Sequence, residues 1–285
     1  MLSQASTISR VLVGLLLTVL FAVALGAKDE KLKPEDLVAK HLASIGAAEK
    51  RKGVKSRTVG GTVQVAFRVG GAGTMNGKGT ILSEGGAVRT GFLFNSLDYN
   101  GEQIAFDGNK VSTGFVSPGN RSPLSSFVYE NDVIVREGLM FGTLSNSWAL
   151  LDVAAKQPKL DATGLKKIDG RQLYELKYEP RKGKGNVQSW LYFDPETFRH
   201  VRSQFKVEVP TSKLNTISDS AELARYLIVE QFDDFKEVDG LMLPHSYKLD
   251  YTIDSPRGSI LTGWAYVIQK ITHNESFEKQ LFSIQ

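Results

Sequence analysis

The chain has 285 residues, with 35 Lys and Arg against 31 Asp and Glu, so its formal net charge is only +4. Basic residues are spread along the sequence, apart from a cluster at residues 181–184. Nucleic-acid binding would need a basic face or stripe, so we expect no nucleic-acid partner. Cysteine is absent, which excludes disulfides, thiolate metal sites, thiol catalysis and a lipidated N-terminal cysteine.

The N-terminus has the pattern of a cleavable signal peptide. A polar start ends in Arg10, residues 11–24 are almost wholly apolar, and a charged run begins at Lys28. The apolar run of about 14 residues is shorter than the roughly 20 that span a bilayer, which favours cleavage over an uncleaved anchor. We therefore predict a signal peptide at 1–27, cleaved near Gly26 or Ala27, a periplasmic location, and one domain at 28–285.

A helix and then strands are predicted to follow the leader. Pro34 and the acids after it suit the first turn of a helix, and Gly46 stops the run. Apolar residues between them recur at helical spacing, at Leu37, Val38, His41, Leu42 and Ile45. From Val63 to Val69 apolar and polar residues alternate as in a half-buried strand, and glycine-rich turns separate the short strands after it.

Residues 122–151 lack the period of two, and their apolar spacing predicts two or three short helices inserted between two sets of strands. Strands resume near Arg171 and continue through two hairpins. The last strand, from Ile260 to Ile271, is apolar on both faces. One face would carry Ile260, Trp264, Tyr266 and Ile268, and the other Leu261, Ala265, Val267 and Ile271.

A strand that is apolar on both faces is expected to be covered on both. We therefore predict an α+β fold that is mostly antiparallel β. Helices could cover one face of its sheet while the sheet curls around the other, which can leave an apolar hollow, and a helical insertion is expected at about 122–151.

Catalytic and metal-binding patterns are missing from the sequence. The four histidines, His41, His200, His245 and His273, show no metal-ligand spacing, and Gly-x-Ser-x-Gly and phosphate-loop motifs are absent. Asp233 and Asp234 are adjacent in a strand, so their carboxylates would point to opposite faces. We therefore predict no enzyme activity, no catalytic residues, no metal and no cofactor.

Large aromatic residues are the remaining candidates for a binding site. We expect them to line the hollow as a ligand cavity, although ordinary core packing is the alternative for each. The candidates are Phe67, Trp148, Trp190, Trp264 and Tyr266.

Three segments of the second half carry a resemblance to a known family. Gln-Leu-Tyr-Glu-Leu at 172–176 precedes Trp-Leu-Tyr-Phe-Asp-Pro-Glu-Thr at 190–197, and Val-Asp-Gly-Leu-Met-Leu-Pro-His follows at 238–245. This order of strands and turns resembles the periplasmic lipoprotein-carrier superfamily with the LolA/LolB-like fold, including outer-membrane lipoprotein-sorting-like proteins. The resemblance implies a strongly curved, incomplete antiparallel β-barrel with helices covering its open side, in which family members hold acyl chains or hydrophobic segments.

Two function classes follow from these expectations. The first is an extracytoplasmic carrier that binds a lipid, a lipoprotein acyl chain or a similar hydrophobic ligand, as a monomer with transient contact to the membrane surface. The alternative is an envelope sensor or structural protein that docks a protein partner through the same fold and holds no ligand. A filled interior with an exposed apolar patch would favour the second class.

Overall fold

The structure, a computed structural model, describes residues 32–69, 72–183, 185–210 and 223–284, which belong to one compact unit. The predicted signal peptide and its cleavage point lie outside the described residues. Twelve antiparallel strands of these ranges form one sheet. In chain order they are β1 Ser56–Val69, β2 Gly73–Glu84, β3 Ala87–Phe94, β4 Gly101–Phe106, β5 Val111–Thr113, β6 Lys159–Ile168, β7 Arg171–Glu179, β8 Gln188–Phe193, β9 His200–Pro210, β10 Leu223–Val238, β11 Leu241–Ser255 and β12 Gly258–His273.

The sheet consists of two antiparallel meanders joined by the pairing of the first strand with the last. Its spatial order is β5-β4-β3-β2-β1-β12-β11-β10-β9-β8-β7-β6. Strands β5 and β6 are the two edges and do not pair with each other, so the curved sheet stays open. The predicted fold class, a mostly antiparallel and incomplete barrel, is confirmed.

Short helices accompany the sheet. They are α1 Pro34–Ile45, α2 Ala48–Gly53, α3 Pro123–Glu130, α4 Val133–Arg136 and α5 Val153–Lys156, with 3-10 turns at Gly142–Leu144, Ala149–Asp152 and Lys279–Phe282. Helix α1 starts as expected, with Pro34 in its first turn and Glu35 and Asp36 at its positive end. Among the described residues no helix carries an apolar stretch that could span a bilayer.

Helix α1 ends where it meets the turn between β10 and β11. Gly46 has a φ of 146°, and a Cβ there would lie 2.6 Å from the Gly240 carbonyl oxygen. Only glycine permits this approach without a shift of backbone. The contact fixes the end of α1 over the start of β11, with Leu37, Val38, His41 and Ile45 buried.

The segment between the two edge strands fills the concave face of the sheet. Ser122 caps α3, because its hydroxyl accepts a hydrogen bond from the Ser125 backbone at 2.9 Å. From α3 onward, side chains of the insertion are buried in the same core as the inner side chains of the strands. They include Leu124, Phe127, Val128, Val133, Ile134, Val135, Leu139, Met140, Phe141, Leu144, Trp148 and Leu150. In the described part of the chain, the expected hollow is therefore occupied by the protein itself.

The expectation that β12 is covered on both faces is wrong. Trp264 and Tyr266 are buried, but Val267 on the opposite face is 57% exposed. A register shift at Gly60 and Gly61 explains why Ile271 is nevertheless buried with the inner set. The bulge reverses the alternation of faces beyond it, so parity counted along the sequence assigns the wrong side to Ile271.

Candidate functional site

Two of the predicted cavity aromatics are packed core residues with satisfied N–H groups. Trp148 is fully buried, and its Nε1 donates to His41 Nε2 at 3.0 Å. Trp264 is 2% exposed, and its Nε1 donates to the Tyr99 hydroxyl at 2.9 Å. A buried indole needs such a partner, so these contacts account for both residues by packing and hydrogen bonding.

Tyr266 and Phe67 also lie on the concave face. The Tyr266 hydroxyl lies 3.0 Å from the carbonyl oxygens of both Val59 and Gly79. A Cβ at Gly79 would lie 2.5 Å from the Tyr266 ring, which explains the glycine beneath it. Phe67 is half-buried near the end of β1 and packs edge-on against Tyr99, with ring centroids 5.3 Å apart.

Trp190 lies on the other side of the sheet. Its neighbours Leu191 and Phe193 belong to the core, whereas Trp190 alternates with them and is half-buried. Lys206, on the adjacent strand β9, places its Nζ 5.6 Å from the Trp190 ring centroid. The structure thus places four of the five predicted residues on the concave side and the fifth on the outer face.

A buried polar network, which the sequence did not predict, ties α1 and the insertion to the sheet. On α1, His41 is fully buried, and its Nδ1 donates to the Phe198 carbonyl at 3.1 Å while its Nε2 accepts from Trp148. These two contacts define a neutral tautomer. Burial lowers the pKa of His41 to about 4, so the ring stays neutral near pH 7.

His200 on β9 is the next member of this network. Its ring stacks on Trp148 with centroids 4.5 Å apart, and its Nε2 lies 3.2 Å from the Ser203 hydroxyl. Burial holds the pKa of His200 well below its usual range. Within the described ranges, the Nδ1 of His200 has no hydrogen-bond partner.

Glu230 on β10 completes the network. Its Oε1 accepts from the Phe141 backbone N–H at 2.7 Å and from the Tyr247 hydroxyl at 2.8 Å. Burial raises the pKa of Glu230 to about 7, although its hydrogen bonds oppose the rise. Phe141 itself has a φ of 69°, a left-handed conformation that costs energy for a non-glycine residue.

The network is sealed from solvent. His41 and Glu230 are fully buried and His200 is 1% exposed, so a substrate has no route to them. A base, a hydroxyl and an acid in proximity would otherwise resemble a catalytic arrangement. We interpret the set as a polar attachment that holds the insertion in one position on the sheet.

An apolar groove lies where α3 meets the ends of three strands, and we call it the rim groove. It has a volume of about 490 Å³ and opens at the end of the sheet where β9 ends and β10 begins. Its lining residues are Pro123, Ser126, Phe127, Glu130, Asn131, Asn186, Val207, Val209, Tyr226, Tyr251 and Ile253. The volume is within the range of small-molecule pockets, roughly 300–1,000 Å³.

The floor of the rim groove is aromatic and its sides are aliphatic. Phe127 of α3 packs against Tyr226 and Tyr251, with ring centroids 6.2 and 5.6 Å apart. Val209 and Ile253, from β9 and β11, are half-buried. A few polar groups on one side and a large apolar surface on the other suit an amphiphilic guest.

Exposed apolar residues cluster at the same end of the sheet as the rim groove. Leu97 in the β3–β4 loop is 97% exposed, Leu223 at the start of β10 is 51% exposed, and Tyr129 on α3 is 48% exposed. Arg121 places its guanidinium carbon 4.3 Å from the Tyr129 ring centroid and 4.5 Å from that of Phe115. Isolated exposed apolar residues are common, but Phe115 and Tyr129 both contact Arg121 and so form one exposed aromatic patch.

Within the described ranges, no three His, Asp or Glu side chains come close enough together to hold a metal ion. The buried Glu230 and His200 are each held by hydrogen bonds to protein groups.

Comparison with known proteins gives a likeness of fold. No family model matches the chain, and no curated protein matches it. A DUF1329 family protein from Desulfovibrio piger is 14% identical, with a TM-score of 0.47, over 88% of this chain and 98% of that one. For a LolA superfamily protein from Nitrosomonas europaea the identity is 14% and the TM-score 0.44, over 89% of this chain and 98% of that one.

A third solved structure is described as an outer membrane lipoprotein-sorting protein domain, from Vibrio parahaemolyticus. It is 11% identical, with a TM-score of 0.43, over 86% of this chain and 97% of that one. At these identities the comparison concerns fold alone, and it transfers no binding residue to a position of this chain.

Proposed function

We propose that this protein works outside the cytoplasm as a binding protein that takes one acyl chain of a lipid or similar amphiphile into the rim groove. The observation that carries the proposal is the groove itself, an apolar trough of about 490 Å³ beside a filled core. Each methylene removed from water contributes about 0.8 kcal/mol, so roughly ten methylenes would contribute about 8 kcal/mol before ordering costs.

The exposed apolar residues around the groove support a source for such a ligand. Phe115 and Tyr129 would enter the interfacial layer of a membrane, and Arg121, which contacts both rings, would lie near the headgroups. The contact would be transient, since the surface consists of a few side chains rather than an amphipathic helix. A single copy of the chain suffices for this action, in keeping with the monomer predicted from the sequence.

The buried aromatic residues of the core do not contact the ligand in this proposal. A guest could contact Trp148 or Tyr266 only if the insertion left the concave face, because both side chains are now covered by the protein core. The polar attachment at Glu230 and Phe141 opposes that movement. We therefore place the ligand in the rim groove and not under the insertion.

The experiment blocks the groove with one bulky side chain. Val209→Trp would project an indole into the trough, and Val267→Trp places the same residue on the exposed outer face as a control. A fluorescent long-chain fatty acid should bind the wild type and the control, and bind Val209→Trp at least ten times more weakly. Lipid extraction of the purified protein gives an independent reading.

Two results would contradict the proposal. The first is that the wild type neither binds the fatty acid nor carries co-purifying lipid. The second is that Val209→Trp binds as tightly as Val267→Trp, which would place the fatty acid elsewhere on the protein.

A second candidate function is favoured by the filled interior. A core occupied by the insertion, together with an exposed apolar surface at Leu97, Phe115 and Tyr129, also suits docking of an envelope protein without any ligand. Leu97→Ser and Tyr129→Ser would then abolish capture of a partner from envelope extract while leaving fatty-acid binding unchanged. If both variants still capture the partner and still bind the fatty acid, this surface has no docking role.

A further inference from the structure

A second pocket lies at the opposite end of the concave face from the rim groove. It is formed by the α1–α2 hairpin, the starts of β1 and β11, and the 3-10 turn at Gly142–Leu144, and its volume is about 240 Å³. Strand β11 links the two sites: Leu241 at its start lines this pocket, and Tyr251 near its end lines the rim groove. At about 3.3 Å per residue, they are roughly 30 Å apart along the strand.

The pocket contains a buried cation without an anionic partner. Arg57 is 5% exposed, and its guanidinium donates to the Thr143 carbonyl and, at 3.1 Å, to His273 Nε2. Among the described residues no carboxylate lies within ion-pair distance of it. Burial lowers the pKa of Arg57 to about 10, which leaves it charged at neutral pH. An unpaired buried charge is costly, so it is expected to serve a purpose.

The neighbouring histidine does not neutralise this charge. His273 Nδ1 lies 2.8 Å from Asp239 Oδ2, while its Nε2 accepts the hydrogen bond from Arg57. These roles require a neutral imidazole that donates to Asp239. Burial lowers the pKa of His273, in agreement with that neutral form. Arg57 is therefore held in place by neutral acceptors and keeps its full charge.

Two further polar groups in the pocket wall lack partners. Thr143 is 5% exposed, and neither its Oγ1 nor the Nδ2 of Asn146 has a hydrogen bond in the described part of the chain. Both groups can donate, and unmatched buried polar atoms are uncommon in a native fold. Both residues line the same pocket as Arg57.

The rest of the lining combines cationic and apolar side chains, and the Arg51 guanidinium also donates to the Leu42 and Gly46 carbonyls. Arg51 and Lys52 of α2 add two positive charges, and no Asp or Glu is among the lining residues. Leu42, Ile45, Val54, Leu151 and Leu241 supply the apolar part. A lining that combines positive charges, hydrogen-bond donors and aliphatic side chains matches an anion carried on a short hydrocarbon stem.

We propose that this pocket binds a phosphate oxyanion against Arg57, with Thr143 and Asn146 as additional donors. The phosphate is either a free ion or the headgroup of an amphiphile, and both offer the same oxygen atoms to these groups. The inference is independent of the fatty-acid site, because the two pockets share no lining residue.

The test compares inorganic phosphate with hexyl phosphate by titration calorimetry. Binding of hexyl phosphate at least tenfold tighter than of phosphate identifies an amphiphile headgroup, and equal binding identifies the free ion; either result supports the proposal. No binding of either probe would overturn it.

Variants locate the binding without removing the buried cation. Thr143→Val with Asn146→Leu deletes both unpartnered donors at similar volume, so the fold should survive, and the melting temperature checks that it does. Hexyl phosphate should then bind at least ten times more weakly. Val209→Trp, in the rim groove, should leave this binding unchanged while it abolishes fatty-acid binding. Wild-type affinity in the double variant, or loss of affinity in Val209→Trp, would refute this location.

Discussion

Replacing the buried Glu230 by Gln should make the protein relatively more stable as the pH rises. The isosteric amide keeps an oxygen for the Phe141 backbone and the Tyr247 hydroxyl, and its NH₂ group takes the place of Oε2, which has no hydrogen-bond partner among the described residues. What the substitution removes is the titration of a carboxyl group inside the core. The comparison therefore isolates the cost of ionising Glu230.

The sign follows from the direction of the pKa shift. Burial raises the pKa of Glu230 from 4.5 to about 7, so the folded state retains this proton after the unfolded state has lost it. The wild type has the full benefit below pH 4.5 and loses it as the pH rises through 7. At about 1.4 kcal/mol for each pKa unit, the loss amounts to about 3 kcal/mol.

The assay is urea unfolding followed by tryptophan fluorescence at pH 4.5 and pH 8. The free energy of unfolding of Glu230→Gln minus that of the wild type should rise by about 3 kcal/mol between these values. His41 and His200 titrate in both proteins, so their contributions cancel in the difference. Tyr247→Phe removes a hydrogen bond that lowers the pKa of Glu230. This variant should therefore lose more free energy of unfolding than the wild type between pH 4.5 and pH 8. If the difference in free energy of unfolding between Glu230→Gln and the wild type changes by less than about 0.5 kcal/mol between the two pH values, the ionisation of Glu230 does not cost the folded protein the expected energy.

Three other outcomes are expected, each measured by chemical or thermal denaturation. Gly142→Ala should destabilise by about 2 kcal/mol or more, because φ is 47° and its Cβ would lie 2.8 Å from His200 Nδ1; a neutral result would mean that the turn is loosely packed. Tyr266→Phe should cost about 1–2 kcal/mol, since it removes the hydroxyl that lies near two carbonyl oxygens, and wild-type stability would show these contacts to be worthless. Val267→Thr should stay within about 0.5 kcal/mol, whereas Ile268→Thr should cost at least about 2 kcal/mol; equal effects would contradict the assignment of the two faces of β12.

Alternation of residues predicted most strands, because each strand buries one face, but it missed β6, Lys159–Ile168, which precedes the expected resumption near Arg171. The pattern from Val63 to Val69 lies within β1, and the hairpin turn at Asp239 and Gly240 joins β10 to β11. The open barrel was expected from the family resemblance of the turn motifs at 190–197 and 238–245, and not from the alternation of residues. The faces of β12 could not, because the bulge opposite Gly60 and Gly61 leaves no clear mark in a one-dimensional pattern.

The filled interior was the main departure from expectation. The apolar spacing of residues 122–151 indicated helices, but the same pattern would fit a lid over a hollow or a plug within it. Whether Leu139 and Phe141 are buried against the sheet depends on the turns between the short helices. Amphipathic spacing does not define the conformation of those turns.

The polar network lay beyond sequence reasoning for a related reason. His41 and Trp148 are 107 residues apart, and Phe141 and Glu230 are 89 residues apart. One signal was present: His41 falls on the apolar face of α1, where an ionisable side chain needs a partner. The pocket around Arg57 has a weaker signal in the sequence, which is a single arginine at an inward position at the start of β1.

The pairing of the first strand with the last has a consequence for how the molecule forms. The contact between the Tyr266 hydroxyl and the Val59 carbonyl connects positions 207 residues apart, and β12 lies at the centre of the sheet. During synthesis, β1 would wait for nearly the whole chain before its central neighbour became available. Contacts of such long range make folding slow. The finished sheet therefore cannot assemble before β12, one of its two central strands, has been synthesised.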